Sequence, residues 1–581
     1  MLEIALLTSA YLVLLTGLGL FFPWSLFRSA PSYRHLLSAF WIGFAITIAF
    51  LQVWQIFWPV GTASFLILAI AGLCGWLISR KQVRAWLCCQ NRALVLVSLA
   101  GAAFIIIFLS NLVIFSGVST DFGLYHLQTV KWFISYRLPP GLVNLHYRLA
   151  FNQAGFLLAA QLESGFLSGL AYYLTSPLLF GALLLYTADG LIFALRKPYE
   201  IRITHLASAF LFFATIKYVG ETQVSGYAPD RMVYVVEVVL ALAVLDLFEK
   251  SYTGEASFAF RLVYAVLLVA LGAVIKTSFT VFGLASLLAI LGASLLRKGR
   301  VSIKIRPVIS AAALAGVLVI PWMVRGTIMS GYPLFPSNII SLPVSWRMPE
   351  ADAAGMVSVV TDWARTCSNT MPLQNGTLWI LTWKNCMPSE FWEILDLSVL
   401  LFGASILLGL WRRHMNVKKP ENSAVWVLLV ICLVSLLFWL WILPDYRFAG
   451  AAFWLLLVSC LLLLLSRIYA FFMQATNLKI LVAVSLIFVA WLSPNPHNFN
   501  LHKTAFFIPP PYLEVAKSQY PQGGIISHPM LGGGIVYSPS AAVFACWDAP
   551  LPCTSLNDVR PRLTMFDSDH LQDGFYVAPK K

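Results

Sequence analysis

The segment 116–153, SGVSTDFGLYHLQTVKWFISYRLPPGLVNLHYRLAFNQ, concentrates residue types that could do chemistry. One carboxylate, Asp121, leads a run that is otherwise basic, with His126, Lys131, Arg137, His146 and Arg148, and the amides Asn144 and Asn152. Asp121, Tyr125, Gln128 and Trp132 recur at helical spacing and so share a face. A carboxylate placed there could accept a proton from a hydroxyl in a transfer reaction. The plainer reading of Thr120-Asp121 is a helix N-cap. A cap accounts for one residue, not for Asn144, His146, Arg148 and Asn152 in the same loop.

Three further cations, Lys276, Arg325 and Arg447, stand at the ends of different apolar segments. Ionisable groups at membrane depth are costly and mark functional candidates. Arg offers a planar fork to phosphate oxygens and Lys a point charge, so the three could hold a phosphate at a bilayer surface. Snorkelling would equally explain Lys276, and membrane-edge anchoring the two arginines. Asp230 could be a helix-start carboxylate that complements the dipole. Asp445 is placed to pair with Arg447. No nucleotide-binding loop, covalent Ser or Cys nucleophile pattern or zinc spacing competes, and no motif supports a metal.

These residues must be carried by membrane helices. Hydrophobic residues make up 59% of the 581 and charged ones 11%, and the mean hydropathy is +0.80. A soluble domain needs about twice that charged fraction to cover its core. Fibrous, disordered and nucleic-acid-binding classes are excluded. The net charge of +14 sits mainly in short loops, where it is topogenic. Runs of about 20 apolar residues predict an all-α polytopic protein of about fourteen spans. They fall near 2–24, 36–58, 62–80, 93–115, 171–195, 203–219, 230–248, 262–275, 277–296, 306–324, 395–411, 424–443, 448–466 and 476–492. The first reads as a span rather than a cleaved signal, since no basic region precedes it. The pair around Lys276 could be one long broken helix, and 151–168 an interfacial or re-entrant one.

Basic short loops alternate with neutral ones. Arg28 and Arg34, Arg80 to Arg92, Arg196 to Arg202, Arg297 to Arg306 and Arg412 to Lys419 mark one side, and 59–61 and 220–229 lack Lys and Arg. The positive-inside rule makes the basic set cytoplasmic and both termini external. The organisation expected is a four-span bundle (1–115), an external loop with the catalytic candidates (116–170) and core spans (171–324). A long external loop (325–394), C-terminal spans (395–492) and a small irregular external domain (493–581) follow. Cys367 with Cys386, and Cys546 with Cys553, fall in external segments, where an oxidising compartment favours disulfides.

The run D-F-G-L-Y-H…K-W…L-P-P-G-L-V-N-L-H-Y-R-L-A-F-N (121–152) resembles a family of uncharacterised bacterial multi-span membrane proteins. More distantly it is similar to the first external loop of GT-C class glycosyltransferases. VIKTS (274–278), PWMVRGTIMSGYPLFP (321–336) and PDYRF (444–448) look like later motifs of that class. The similarity is scattered over 116–450. It implies a GT-C-like fold and a sugar moved from a polyprenyl phosphate or diphosphate to an envelope glycan, lipid or protein. Asp121 would be the catalytic carboxylate, with Tyr125, His126, Lys131, Asn144, His146, Arg148, Asn152, Asp230, Lys276, Arg325 and Arg447 at the substrate. Membrane lipid and a lipid-linked saccharide are the partners implied. Two features depart from the class. The Asp loop follows the fourth span rather than the first, and Phe122 stands where a second carboxylate would help hold a divalent cation. The same residues would also serve a flippase or exporter of lipid-linked saccharides, or a polysaccharide polymerase or ligase.

Overall fold

The computed structural model describes residues 1–21, 33–88, 90–196, 202–249, 255–296, 305–366, 379–414, 423–471, 505–517, 524–531, 533–540, 545–555, 560 and 562–579. The chain is helical almost throughout. Its first four long helices are α1 (Leu2–Gly19), α2 (Tyr33–Phe57), α3 (Thr62–Cys88) and α4 (Arg92–Phe115). Short pieces follow: α5 (Leu127–Ser135), α6 (Leu142–Leu145) and α7 (Gly155–Leu162). Long helices resume with α8 (Ala171–Arg196), α9 (Ile203–Glu221), α10 (Pro229–Phe248), α11 (Glu255–Ile275), α12 (Thr280–Leu296) and α13 (Ile305–Ser330). After α14 (Glu350–Thr366) and α15 (Trp379–Trp383) come α16 (Ser389–His414), α17 (Ser423–Ile442) and α18 (Ala452–Phe471).

Ten of these helices are long and apolar enough to cross a membrane, as an all-α polytopic membrane protein requires. The first thirteen predicted spans each coincide with a helix. Of the three helices outside the ten, α12 and α18 supply shorter apolar runs, and α10 carries Asp230, Arg231, Glu237 and Asp246. The fourteenth predicted span, 476–492, lies outside the described residues. Leu77, Leu96, Val97, Phe104, Leu407 and Leu437 are exposed along the helices, a surface suited to lipid.

Small residues let the helices approach, as packing between apolar helices demands. A Cβ at Gly43 of α2 would collide with the Leu15 carbonyl of α1, and one at Gly75 of α3 with Gly17. Around Lys276 the chain reverses instead of running on as one broken helix. Lys276 is extended, with φ −159°, and a 3-10 turn over Thr277–Phe279 leads into α12. A Cβ built on Gly283 would lie 3.4 Å from Val269, so α12 returns along α11. Helix α13 runs beyond the expected end at 324 to Ser330, since Pro321 inside it does not end it. The extra turn carries Arg325 into the interior. Segment 151–168 becomes α7 and a 3-10 turn, with every residue of α7 buried. Two of its polar groups find partners inside the protein: Ser64 Oγ donates to Gln161 Oε1 at 2.9 Å, and Glu163 accepts from the Gly169 amide at 2.6 Å.

The C-terminal residues form α19 (Tyr512–Lys517) and two antiparallel pairs, β1 (Ile525–Pro529) with β2 (Ile535–Pro539) and β3 (Leu563–Met565) with β4 (Phe575–Val577). A Cys546–Cys553 disulfide with Cα atoms 6.1 Å apart closes the loop before β3. Cys386 is also disulfide-bonded, and its expected partner, Cys367, lies outside the described residues.

The tail docks on the 116–145 loop. The Trp547 amide donates to Gly123 O at 2.8 Å and the Phe575 amide to Pro140 O at 2.9 Å. Lys131 pairs with Asp548 at 2.9 Å, and Arg137 with Asp573 at 2.8 Å. The Met1 ammonium donates to Ala505 O at 2.7 Å. The N-terminus, the 116–145 loop and the tail therefore gather at one end of the helices. Cysteines placed at Arg84 and Asp569, both exposed, should consequently react with a membrane-impermeant maleimide from opposite faces. Labelling of both from one face would break the alternation of basic loops on which the orientation rests.

Candidate active site

The loop after α4 is pinned before it reaches the site. Ser225 Oγ donates to Val113 O at 2.6 Å and to Ser116 O at 2.9 Å, and Ser116 Oγ accepts from the Val224 amide at 2.7 Å. The chain then enters a π-turn over Phe122–His126 that continues into α5. Such wide turns re-aim side chains and recur at functional sites. Asp121 makes no capping hydrogen bond at the head of this turn. Its Oδ2 instead lies 3.1 Å from Nη1 of Arg447, so the cap does not account for it.

Arg447 is set by its own turn. After α17, Asp445 caps the 3-10 turn Tyr446–Ala449, with Oδ1 accepting the Arg447 amide at 2.8 Å. The same carboxylate holds the guanidinium, with Oδ2 3.2 Å from Nη2. Trp363 of α14 lies under the guanidinium, 5.0 Å from ring centre to Cζ. Burial opposes the Arg447 charge, but Asp445 and then Asp121 outweigh it and raise its pKa. For Asp121, burial pushes the carboxyl up. Arg447 first, with His126, Arg148 and Lys276 adding to it, holds it below the usual carboxylate range. The group is ionised at neutral pH.

A cavity of about 910 Å³ opens on this pair, within the range of small-molecule sites. Its lining includes the polar Thr120, Asp121, Tyr125, Arg148, Gln153, Lys276, Thr277, Ser278 and Arg447. It also includes the apolar Met356, Val357, Val359, Val360 and Trp363 of α14, with Ile442, Leu443 and Phe448. Lys276 is bonded to Asp230 at the start of α10, and its ammonium lies 4.5 Å from the centre of the Phe448 ring.

Among the sequence-predicted residues, Asp121, Tyr125, Arg148, Lys276 and Arg447 line this cavity, with Asp230 bonded to Lys276. The others serve elsewhere. Arg325 is fully buried in α13, bonded to Gln55 and 3.3 Å from Asn152 Oδ1, so it faces the interior rather than a phosphate. Asn152, with φ +52°, donates to Trp322 O at 2.6 Å. Asn144 donates to Trp346 O at 2.8 Å and to Phe575 O at 3.2 Å. Lys131 holds the tail, and His126 and His146 are buried outside the cavity lining. None of these six residues lines the cavity.

The α14 wall was not foreseen from sequence. Its signal was present, since EADAAGMVSVVTDWART starts with two acids and alternates apolar and polar residues at helical spacing. Asp362 of that helix and Ser555 of the tail also line the cavity. Among the described residues, Asp567, His570 and Asp573 hold ligand-type atoms within 4.8 Å of one another. They lie outside the cavity lining, and His570 already bonds Asp567 at 2.9 Å while Asp573 pairs with Arg137.

Residues 1–454 match the family described as Domain of unknown function (DUF8201). The chain belongs to the DUF8201 family. No curated protein and no solved structure matches it. The DUF8201 match contains Asp121, Arg148, Asp230, Lys276, α14 and Arg447. Trp547 and Ser555 come from the tail beyond it.

His126 yields a test of this packing. Burial lowers its pKa from 6.5 to about 3. Between those values the unfolded chain binds a proton that the folded chain does not, so stability falls as pH drops through that window. The slope is at most about 1.4 kcal/mol per pH unit. Melting of the purified protein at pH 7 and pH 5 should show a fall that His126→Gln reduces. An equal fall in the variant would place His126 in a solvated site.

Proposed function

We propose that this DUF8201 protein is a GT-C-like glycosyltransferase. It moves a sugar from a polyprenyl-phosphate-linked donor to an envelope acceptor on the external face of a bacterial cytoplasmic membrane. The supporting observation is Asp121, ionised beside Arg447 in a cavity lined by both charged and apolar side chains. An amphiphile with a phosphate head and a prenyl chain presents the same two kinds of surface. GT-C likeness, the span count of fourteen and the external orientation belong to the same proposal.

In the transfer, the acceptor hydroxyl oxygen forms the new bond to the anomeric carbon. The bond from that carbon to the phosphate oxygen breaks, and its electron pair leaves with the polyprenyl phosphate. The hydroxyl proton passes to the Asp121 carboxylate, which its cations keep unprotonated. Cations on the cavity lining meet the charge that develops on the leaving oxygen.

The test is purified protein with a pool of polyprenyl-phosphate sugars, following donor loss by mass spectrometry. Asp121→Asn keeps the shape of the group but cannot take the proton, so turnover should fall by roughly 10²–10⁴-fold with expression unchanged. Near-normal turnover by the variant would leave Asp121 as a structural partner of Arg447. Movement of the saccharide across proteoliposomes without donor loss would replace the transferase with a flippase.

A further inference from the structure

Gln153 lines the cavity with only 7% of its surface exposed, and its amide oxygen has no hydrogen-bond partner among the described residues. Ser278 Oγ, on the same lining, is likewise buried and unpartnered. Buried polar groups are nearly always paired, so each exception calls for a reason. A loose backbone is not the reason here. Asn152, just before Gln153, is tied to Trp322 in both directions: Nδ2 donates to Trp322 O at 2.6 Å, and Trp322 Nε1 donates to Asn152 O at 2.8 Å. Just after it, the Ala154 amide donates to Val274 O at 3.0 Å, close to the turn that carries Lys276 and Ser278. The chain therefore holds Gln153 in place on both sides and leaves its amide oxygen unused. The charges around it do not favour an anion. Arg148, Lys276 and Arg447 stand on the lining with Asp121 and Asp362, and Asp230 and Asp445 are bonded to two of the cations. Three cations thus meet four carboxylates.

We infer that Gln153, with Ser278, reads an uncharged hydroxyl or amide substituent of a sugar ring, and that through it the cavity takes neutral hexoses and refuses hexuronic acids. A hydroxyl or an amide both donates and accepts, so it can satisfy the Gln153 oxygen and the Ser278 hydroxyl. An ionised carboxylate only accepts. It would leave the Gln153 oxygen unpaired and add a negative charge to a lining where carboxylates already outnumber cations. A site built to hydrogen-bond a group rejects the analogue that lacks it, because its own buried polar atoms then stay unpaired. Tyr125 fits the same recognition. Burial first, with Asp121 and Asp230 adding to it, holds its hydroxyl well above the ordinary range, so it stays a neutral donor.

This rests on the reading of the substrate as a sugar, deepens it to neutral sugars, and can fail separately from it. The full-length protein in nanodiscs is titrated with methyl glycosides of glucose, galactose, mannose and N-acetylglucosamine, and with the methyl glycosides of the matching hexuronic acids, followed by saturation-transfer NMR. At least one neutral glycoside should bind at least about tenfold tighter than its uronic counterpart. Gln153→Leu should cost that glycoside about tenfold in affinity, and Ser278→Ala a smaller factor. The unliganded melting midpoint of both variants should equal that of the wild type or exceed it, because replacing an unpaired buried polar group by an apolar one of similar size removes no contact. A glutamine that only supports the fold would behave in the opposite way, with a lower midpoint and unchanged affinity. Equal or tighter binding of the uronic glycosides, binding of no glycoside, unchanged affinity in Gln153→Leu, or a lowered midpoint in that variant each overturns the inference. Donor turnover alongside any of these results leaves the transferase standing. Selective binding of a neutral glycoside without donor turnover keeps the subsite and removes the transferase.

Discussion

The guanidinium of Arg447, held between Asp445 and Asp121, joins the loop after α4 to the turn before α18 across 326 residues of chain. Neither side can shift without stranding a charge. Arg447 and Asp121 keep 37% and 28% of their side-chain surface exposed, so water screens part of this attraction. The arrangement brings Trp363 of α14 against the guanidinium. It also dictates the protonation state of Asp121, because the same contact that fixes its position favours its charged form.

The turn that carries Arg447 is itself anchored from below. Gly450 sits at φ +57°, a conformation that glycine adopts without strain, and a Cβ there would run into the Glu237 carboxylate. Glu237 of α10 is buried, and its Oε2 accepts the Ala451 amide at 2.6 Å at the head of α18. An acid at a helix N-terminus complements the dipole and satisfies an orphan donor. Thus a buried carboxylate helps to fix the turn that carries Arg447.

The tail closes the opposite side of the Asp121 loop. Gly123, inside the π-turn, lets the Trp547 ring pack directly on the backbone, where a Cβ would collide with it. Gln128 of α5 donates to both Trp547 O and Ala549 O, at 2.9 and 3.0 Å. Buried backbone carbonyls need hydrogen-bond partners, and the Gln128 amide supplies one to each of these two tail residues. Since the DUF8201 match ends at residue 454, the charged wall belongs to the shared part of the chain. Its cover, with Ser555 at the rim, lies beyond that part.

Hydropathy by itself determined the helices, because a segment must bury or face lipid with about 20 apolar residues whatever its neighbours do. It located the described long helices other than α14 and the break at Lys276, and residue chemistry singled out Asp121, Arg148, Lys276 and Arg447. Local pattern could not tell a cation facing a cavity from one facing a core. Arg325 and Arg447 look alike in sequence, yet Arg325 was carried inward by one more turn of α13 and met Gln55, while Arg447 was left on the lining between two acids. Asn144, Asn152 and Lys131 likewise found partners on Trp346, Trp322 and Asp548, each distant in sequence. Side-chain pairing is decided by which elements meet, and those meetings are set by helix packing over hundreds of residues. Only the tertiary structure could therefore say which charges are neutralised in place and that, among the described residues, no carboxylate stands within ion-pair distance of Arg148.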